Sequence, residues 1–117
     1  GNDIRTMDES TRTILTNTGA IAIDQDPLGI QGSIIAQFDD IHIWVKPLVD
    51  GIAYCFFNRA ERARTFRASW AVLELEGNYT IRDVWLNKNV GTTRHHPRIR
   101  YTIPSHDVVL LRLTAKE

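Results

Sequence analysis

The sequence predicts an all-β fold, an antiparallel β-sandwich of Greek-key type, preceded by one short helix. Three observations lead there. From Ile30 onward hydrophobicity alternates with period two, turn-forming residues interrupt that alternation at short intervals, and the only helix-like apolar spacing lies within residues 1–29. The expected organisation is therefore a helix and connection over residues 1–29, then a sandwich over residues 30–117.

In the first segment Asp8 can cap a helix, Glu9 complements its positive end, and Met7, Thr11, Ile14 and Leu15 share one face. Gly19, in Asn17-Thr18-Gly19, can end it in the left-handed conformation. Ala20-Ile21-Ala22-Ile23 and the turn-rich Asp24-Gln25-Asp26-Pro27-Leu28-Gly29 follow. So short a helix is marginal in water and needs a surface to pack on.

In the second segment Ile41, Ile43 and Val45 alternate with His42, Trp44 and Lys46, marking a strand with one buried face. Asp50-Gly51 is a two-residue hairpin signal leading into Ile52-Ala53-Tyr54-Cys55-Phe56-Phe57. That run is apolar on both parities, as in a central strand covered on both sides. Phe66, Ala68, Trp70 and Val72 alternate with Arg67, Ser69 and Ala71, and Tyr79 to Leu86 is a further strand candidate. Ile99, Tyr101 and Ile103 alternate with Arg98, Arg100 and Thr102. After Pro104-Ser105-His106 a last strand puts Val109, Leu111 and Leu113 inward and Arg112 outward. Six to eight short strands at this spacing are what a sandwich uses.

Composition narrows the function. The 117 residues carry 14 Lys+Arg against 14 Asp+Glu, and this balance argues against a nucleic-acid binder. No apolar run approaches the ~20 residues of a transmembrane helix, and Gly1-Asn2-Asp3 lacks the features of a signal peptide. The missing initiator Met suggests a mature form or a fragment. Cys55 is the only cysteine, so no intramolecular disulfide forms, and its apolar strand suits an inert core thiol.

Candidate chemistry is sparse. His95 and His96 are adjacent and point to opposite faces of an extended strand, while His42 and His106 stand far away, so no metal-ligand spacing is present. Arg94, Arg98 and Arg100 make a local basic patch; the ordinary reading is a solvated strand face, the sharper one a phosphate or polyanion site. Glycosidases need two carboxyl groups about 5 Å apart (retaining) or about 6.5–9.5 Å apart (inverting). Asp39-Asp40 belongs to a hairpin tip, and Asp24 and Asp26 flank a turn. Asp83 shares parity with Tyr79, Ile81 and Trp85, and is expected to be structural, held by backbone N–H groups or by Arg82, Arg98 or Arg100. Among the tryptophans, Trp44 falls on the polar parity of its strand, Trp70 on an apolar one, and Trp85 is ambiguous. No catalytic, cofactor-binding or metal-binding residue is assigned.

Several stretches resemble family 27 glycoside hydrolases, the α-galactosidases (melibiases) and α-N-acetylgalactosaminidases. They are Gly1-Asn2-Asp3-Ile4-Arg5, Ala20 through Gly29, Ile30-Gln31-Gly32, Trp44-Val45-Lys46-Pro47-Leu48, Phe57-Asn58-Arg59, Tyr79 through Trp85, and Ser105-His106 with Val108 through Leu113. The resemblance runs nearly the whole chain in the family's order. It implies that residues 1–29 end a catalytic (β/α)8 barrel and that residues 30–117 form the C-terminal sandwich. It also places the nucleophile and the acid/base upstream of this chain. Asp107 stands where the family usually has Gly, so a turn needing positive φ there would be strained.

The reading that follows is a non-catalytic sandwich supporting the barrel of a retaining hydrolase of terminal α-galactosides, in a parent that is secreted, periplasmic or lysosomal. The expected partners are that barrel and, through it, α-galactosides, with neither nucleic acid nor membrane. No cofactor is expected. A carbohydrate-binding module is the alternative and would need exposed rings lining a polar groove. A self-sufficient hydrolase would need two close carboxylates in a cleft. Burial of Met7, Ile14 and Leu15 is expected to drive the helix onto the sandwich or onto a second copy. Asn78-Tyr79-Thr80 matches a glycosylation acceptor.

Overall fold

The computed structural model describes residues 32–116, and over them the chain forms eight strands and no helix. These are β1 (Ser33–Phe38), β2 (Ile41–Leu48), β3 (Gly51–Asn58), β4 (Arg64–Ser69), β5 (Tyr79–Asp83), β6 (Lys88–Thr92), β7 (Arg98–Ile103) and β8 (Val108–Ala115). The expected helix with Met7, Ile14 and Leu15, and the connection to Gly29, lie outside the described residues.

All pairings are antiparallel. Six strands form one sheet in the order β1-β2-β3-β8-β5-β6, and β4 pairs with β7 in the second. From β5 the chain goes to its hairpin partner β6, crosses to β7, and returns as β8 beside β5, a Greek key.

The core lies between the sheets. Ile43, Tyr54, Phe56, Leu111 and Leu113 from the large sheet meet Phe66, Ile99 and Ile103 from the small one. Trp70 is 3% exposed, lies edge-on to Tyr54 with centroids 5.3 Å apart, and donates through Nε1 to the His96 carbonyl at 3.0 Å. The core assignment of Trp70 therefore holds. So does the central position of β3, which places Tyr54 and Phe56 in this core and Ala53 and Cys55 in a second apolar cluster.

Several elements differ from the sequence expectation for local reasons. The fourth strand stops at Ser69, whose Oγ accepts from Val72 N at 3.1 Å while Leu75 N reaches the Trp70 carbonyl at 3.0 Å. This turn leaves Val72 61% exposed and gives the core position to Leu73. Likewise β5 ends at Asp83 rather than Leu86, because Val84 to Asn87 form the turn into β6. The β2–β3 turn is Val49-Asp50, one residue earlier than expected, since Gly51 already pairs with Leu48 and with Thr114. Gly51 is required instead by proximity, because a Cβ there would collide with the Leu113 carbonyl. Positive φ in the β7–β8 turn falls on His106, at 57°, not on Asp107, so the Gly-to-Asp departure carries no strain.

Candidate functional site, the outer face of the large sheet

Strand register sorts the large sheet's side chains into two sets. Ile34 lies opposite Trp44, Trp44 opposite Cys55, and Cys55 opposite Leu110. Directly opposed residues share a face, and Ile43 and Val45 beside Trp44 belong to the core, so this row occupies the outer face. Flanking it, His42, Phe57 and Val108 form a second row. Leu48, Ala53, Val84 and Leu110 are buried together, with Cys55 and Trp85 packed against them.

An antiparallel sheet at the outside of a sandwich normally presents polar residues to water. Here one row of the outer face, Ile34, Trp44, Cys55 and Leu110, is apolar, while Lys46, Arg112 and Arg82 share that face in the next row. Trp44 is 40% exposed and Ile34 46% exposed, while Leu86 in the β5–β6 turn is 62% exposed. Trp85 is fixed by its Nε1, which donates to the Val108 carbonyl at 3.0 Å. The geometry is a row across a sheet, not a groove, and it suits a broad apolar partner surface.

The remaining candidates fall elsewhere. Asp39 (φ 52°) and Asp40 make the β1–β2 turn, where Asp40 Oδ2 accepts from Arg64 Nη2 at 2.8 Å. Asp83 is 7% exposed on the core side, opposite Leu111, and its Oδ1 accepts from Leu86 N at 3.1 Å. Of the two alternatives for holding this carboxylate, the backbone one is observed. Arg82 turns to Asn87 and Asn89, and Arg98 and Arg100 are exposed. The pKa of the Tyr101 phenol is raised by burial and then by the charge of Asp83.

Burial pushes the Cys55 thiol up to about 12, which suppresses the thiolate. His95 and His96 are exposed, His106 lies 3.1 Å from Glu61 Oε1, and His42 is buried on β2. Among the described residues no group of three or more His, Cys, Asp and Glu side chains could hold a metal ion, and no helix is long and apolar enough to cross a membrane.

Sequence reasoning missed Asn58 as an individual residue. It is fully buried at the end of β3; its Nδ2 donates to the carbonyls of Arg62 (2.9 Å), Ile103 (2.9 Å) and Pro104 (3.2 Å), and its Oδ1 accepts from Ala60 N at 2.8 Å. A polar residue closing an apolar strand was the available signal.

Residues 38–113 match the model of the alpha galactosidase C-terminal beta sandwich domain. The chain is 36% identical to alpha-galactosidase A of Cellvibrio japonicus over 99% of its own length, and 35% identical to a Dictyostelium discoideum protein described as a probable alpha-galactosidase over 97%. It spans 31% of the length of each of these relatives. Among solved structures, alpha-galactosidase I of Mortierella vinacea superposes with a TM-score of 0.73 at 24% identity, over 99% of this chain and 32% of that one, a likeness of fold.

Proposed function

The chain belongs to the alpha-galactosidase C-terminal beta-sandwich family of family 27 glycoside hydrolases, and on that premise we propose that its apolar outer face docks the sandwich onto a catalytic barrel. In this reading residues 1–29 are the end of that barrel and residues 30–117 the sandwich. The parent cleaves terminal α-galactosides, and no residue of this chain carries the chemistry. The observation that bears the most weight is the exposed end of the outer-face stripe, Ile34 and Trp44, 46% and 40% open on the side of the large sheet away from its own core, beside the buried cluster that takes up Cys55 and Leu110. The shares of the relatives' lengths leave room for a larger catalytic unit beside it.

The test is made on a full-length parent chain and on the 117-residue chain side by side. Trp44→Arg is expected to lower the parent's melting temperature while leaving that of the shorter chain within about 0.5 kcal/mol of its starting stability. Equal effects in both chains would overturn docking through this face. The 117-residue chain is expected to turn over no aryl α-galactoside. Turnover that survives purification and vanishes in Asp83→Asn would overturn the non-catalytic reading.

Without a barrel, the same stripe can be covered by another copy. The isolated chain is therefore expected to self-associate, and light scattering across a concentration series should show Trp44→Arg to be the more monomeric form. A strictly monomeric starting chain at all concentrations would exclude this.

A further inference from the structure

The small sheet presents a face of opposite character. Its outward residues are Thr65, Arg67 and Ser69 on β4 and Arg98, Arg100 and Thr102 on β7, paired Thr65–Thr102, Arg67–Arg100 and Ser69–Arg98. All are polar. Like charges placed directly opposite on neighbouring strands repel and destabilise a sheet, yet Arg67 and Arg100 stand in that relation. Among the described residues neither they nor Arg98 has an ion-pair or hydrogen-bond partner, whereas Arg64 and Arg112 are paired with Asp40 and Asp50. Arg67, Arg98 and Arg100 line a shallow hollow of about 490 Å³.

Arg67 also lines a second cleft, of about 520 Å³, between β4 and the β1–β2 turn. Arg62 and Arg64 contribute to its wall, Asp39 is its one acidic side chain, and Phe38 supplies an aromatic ring 41% exposed and backed by Phe66, with centroids 5.7 Å apart. Arg64 is bound to Asp40 through Nη2, and its Nε is buried with no hydrogen-bond partner. The two hollows meet at Arg67 and form one basic track with an aromatic platform at one end.

We propose that this track binds an acidic polysaccharide, a glycan bearing carboxylate or sulfate groups. The guanidinium pair Arg67–Arg100 is spaced to converge on one oxyanion, since opposed Cβ atoms lie about 4.5–5.5 Å apart. Arg98, two residues along the same face and roughly 6.7 Å away, meets a further charge on the same ligand. Phe38 stacks on the apolar face of a sugar ring, and Asp39 accepts from a sugar hydroxyl. A protein partner fits less well, because interface cores are aromatic and apolar and the exposed large apolar surface of this track is confined to Phe38 at one end. A nucleic acid fits less well because Phe38 is the one exposed ring lining the two hollows, whereas successive bases need several stacking platforms.

The experiment is affinity electrophoresis of the 117-residue chain at about 0.01 M salt, where the Debye length is ~30 Å. The gels contain polygalacturonate, a sulfated galactan or an uncharged galactan, and a single-stranded oligonucleotide competes in solution. Retardation is expected in one or both acidic gels and not in the uncharged one; the two acidic arms identify the anion recognised. Arg67→Ala/Arg100→Ala should weaken the retardation about tenfold or more without lowering the melting temperature, and removing the opposed charges should if anything raise it. Phe38→Ala should weaken polysaccharide binding as well, while Trp44→Arg should leave it unchanged, which separates this site from barrel docking. No retardation by either acidic polymer, equal retardation by the uncharged one, displacement by the oligonucleotide at matched charge concentration, or indifference to the arginine substitutions would each overturn the proposal.

Discussion

The Asn58 carboxamide donates to the main-chain carbonyl of Ile103 at 2.9 Å, across 45 residues of sequence. With its bonds to Arg62, Pro104 and Ala60, and its own N–H on the Asp107 carbonyl at 3.0 Å, it fastens the β3–β4 loop to the β7–β8 turn. Asn58→Ala leaves several buried partners unmet and should cost about 3 kcal/mol or more, read by urea unfolding. Asn58→Asp keeps the acceptor but turns an oxygen toward three carbonyls. Its deficit should therefore shrink as pH falls and the carboxyl gains a proton to donate. A loss independent of pH would refute that account.

Asp83 separates shape from charge. Its Oδ1 caps the turn by accepting from Leu86 N, which an asparagine Oδ1 can also do. Asp83→Asn should cost less than about 1 kcal/mol and Asp83→Ala about 1–3 kcal/mol. In Asp83→Asn the Tyr101 phenol, raised partly by the carboxylate, should titrate at lower pH in an ultraviolet titration. An unmoved tyrosine titration would show the charge to be ineffective there.

Gly51→Ala tests the close approach of β3 and β8. The added methyl meets the Leu113 carbonyl, a backbone atom that cannot swing aside, so the strands must part locally. The expected loss is about 1–3 kcal/mol. Hydrogen exchange should quicken first around Thr114, its partner in register. Full stability in the variant would mean that the strands have slack to yield.

Alkaline titration probes the buried acids. Burial raises Cys55 from 9.0 to about 12, and burial followed by the Tyr79 charge raises Tyr54 from 10.0 to about 12. Both are raised pKa values, so the folded chain keeps protons that the unfolded chain releases. Stability contributed by Cys55 is whole below pH 9.0 and is lost as pH rises toward about 12; that of Tyr54 is lost from pH 10.0 upward. Cys55→Ser should flatten the fall that begins at the lower pH. At pH 8 iodoacetamide should modify Cys55 far more slowly than a free thiol, and fast alkylation would contradict its burial.

Much of the fold was legible because its signals are local. Asp39-Asp40 as a turn, Ile41–Val45 and Ile99–Ile103 as half-buried strands, and Ile52–Phe57 as a central strand all follow from period and turn chemistry. The strand β6 was not, since Lys88-Asn89-Val90-Gly91-Thr92 offers one large apolar residue and is held by its hairpin with β5. Trp44 could be placed outward by parity, but its row reaches Leu110 only through the pairing of β3 with β8, strands distant in sequence. The basic patch was legible as Arg98 and Arg100, while Arg67 joins it through a register that linear order does not reveal. Asn58 stayed hidden because its partners are carbonyls, which every sequence has.

The place of β8 between β3 and β5 has a consequence for synthesis. A ribosome delivers β1, β2 and β3, then β5 and β6, before the strand that joins them. Until β8 emerges, the large sheet is two separate ribbons, each with a bare edge facing the gap, and Tyr54 and Phe56 lack Leu111 and Val109 beside them. Cooperative folding must therefore wait for the last strand, and a transcript cut short before Val108 yields a nascent chain that proteases can recognise by its open edges.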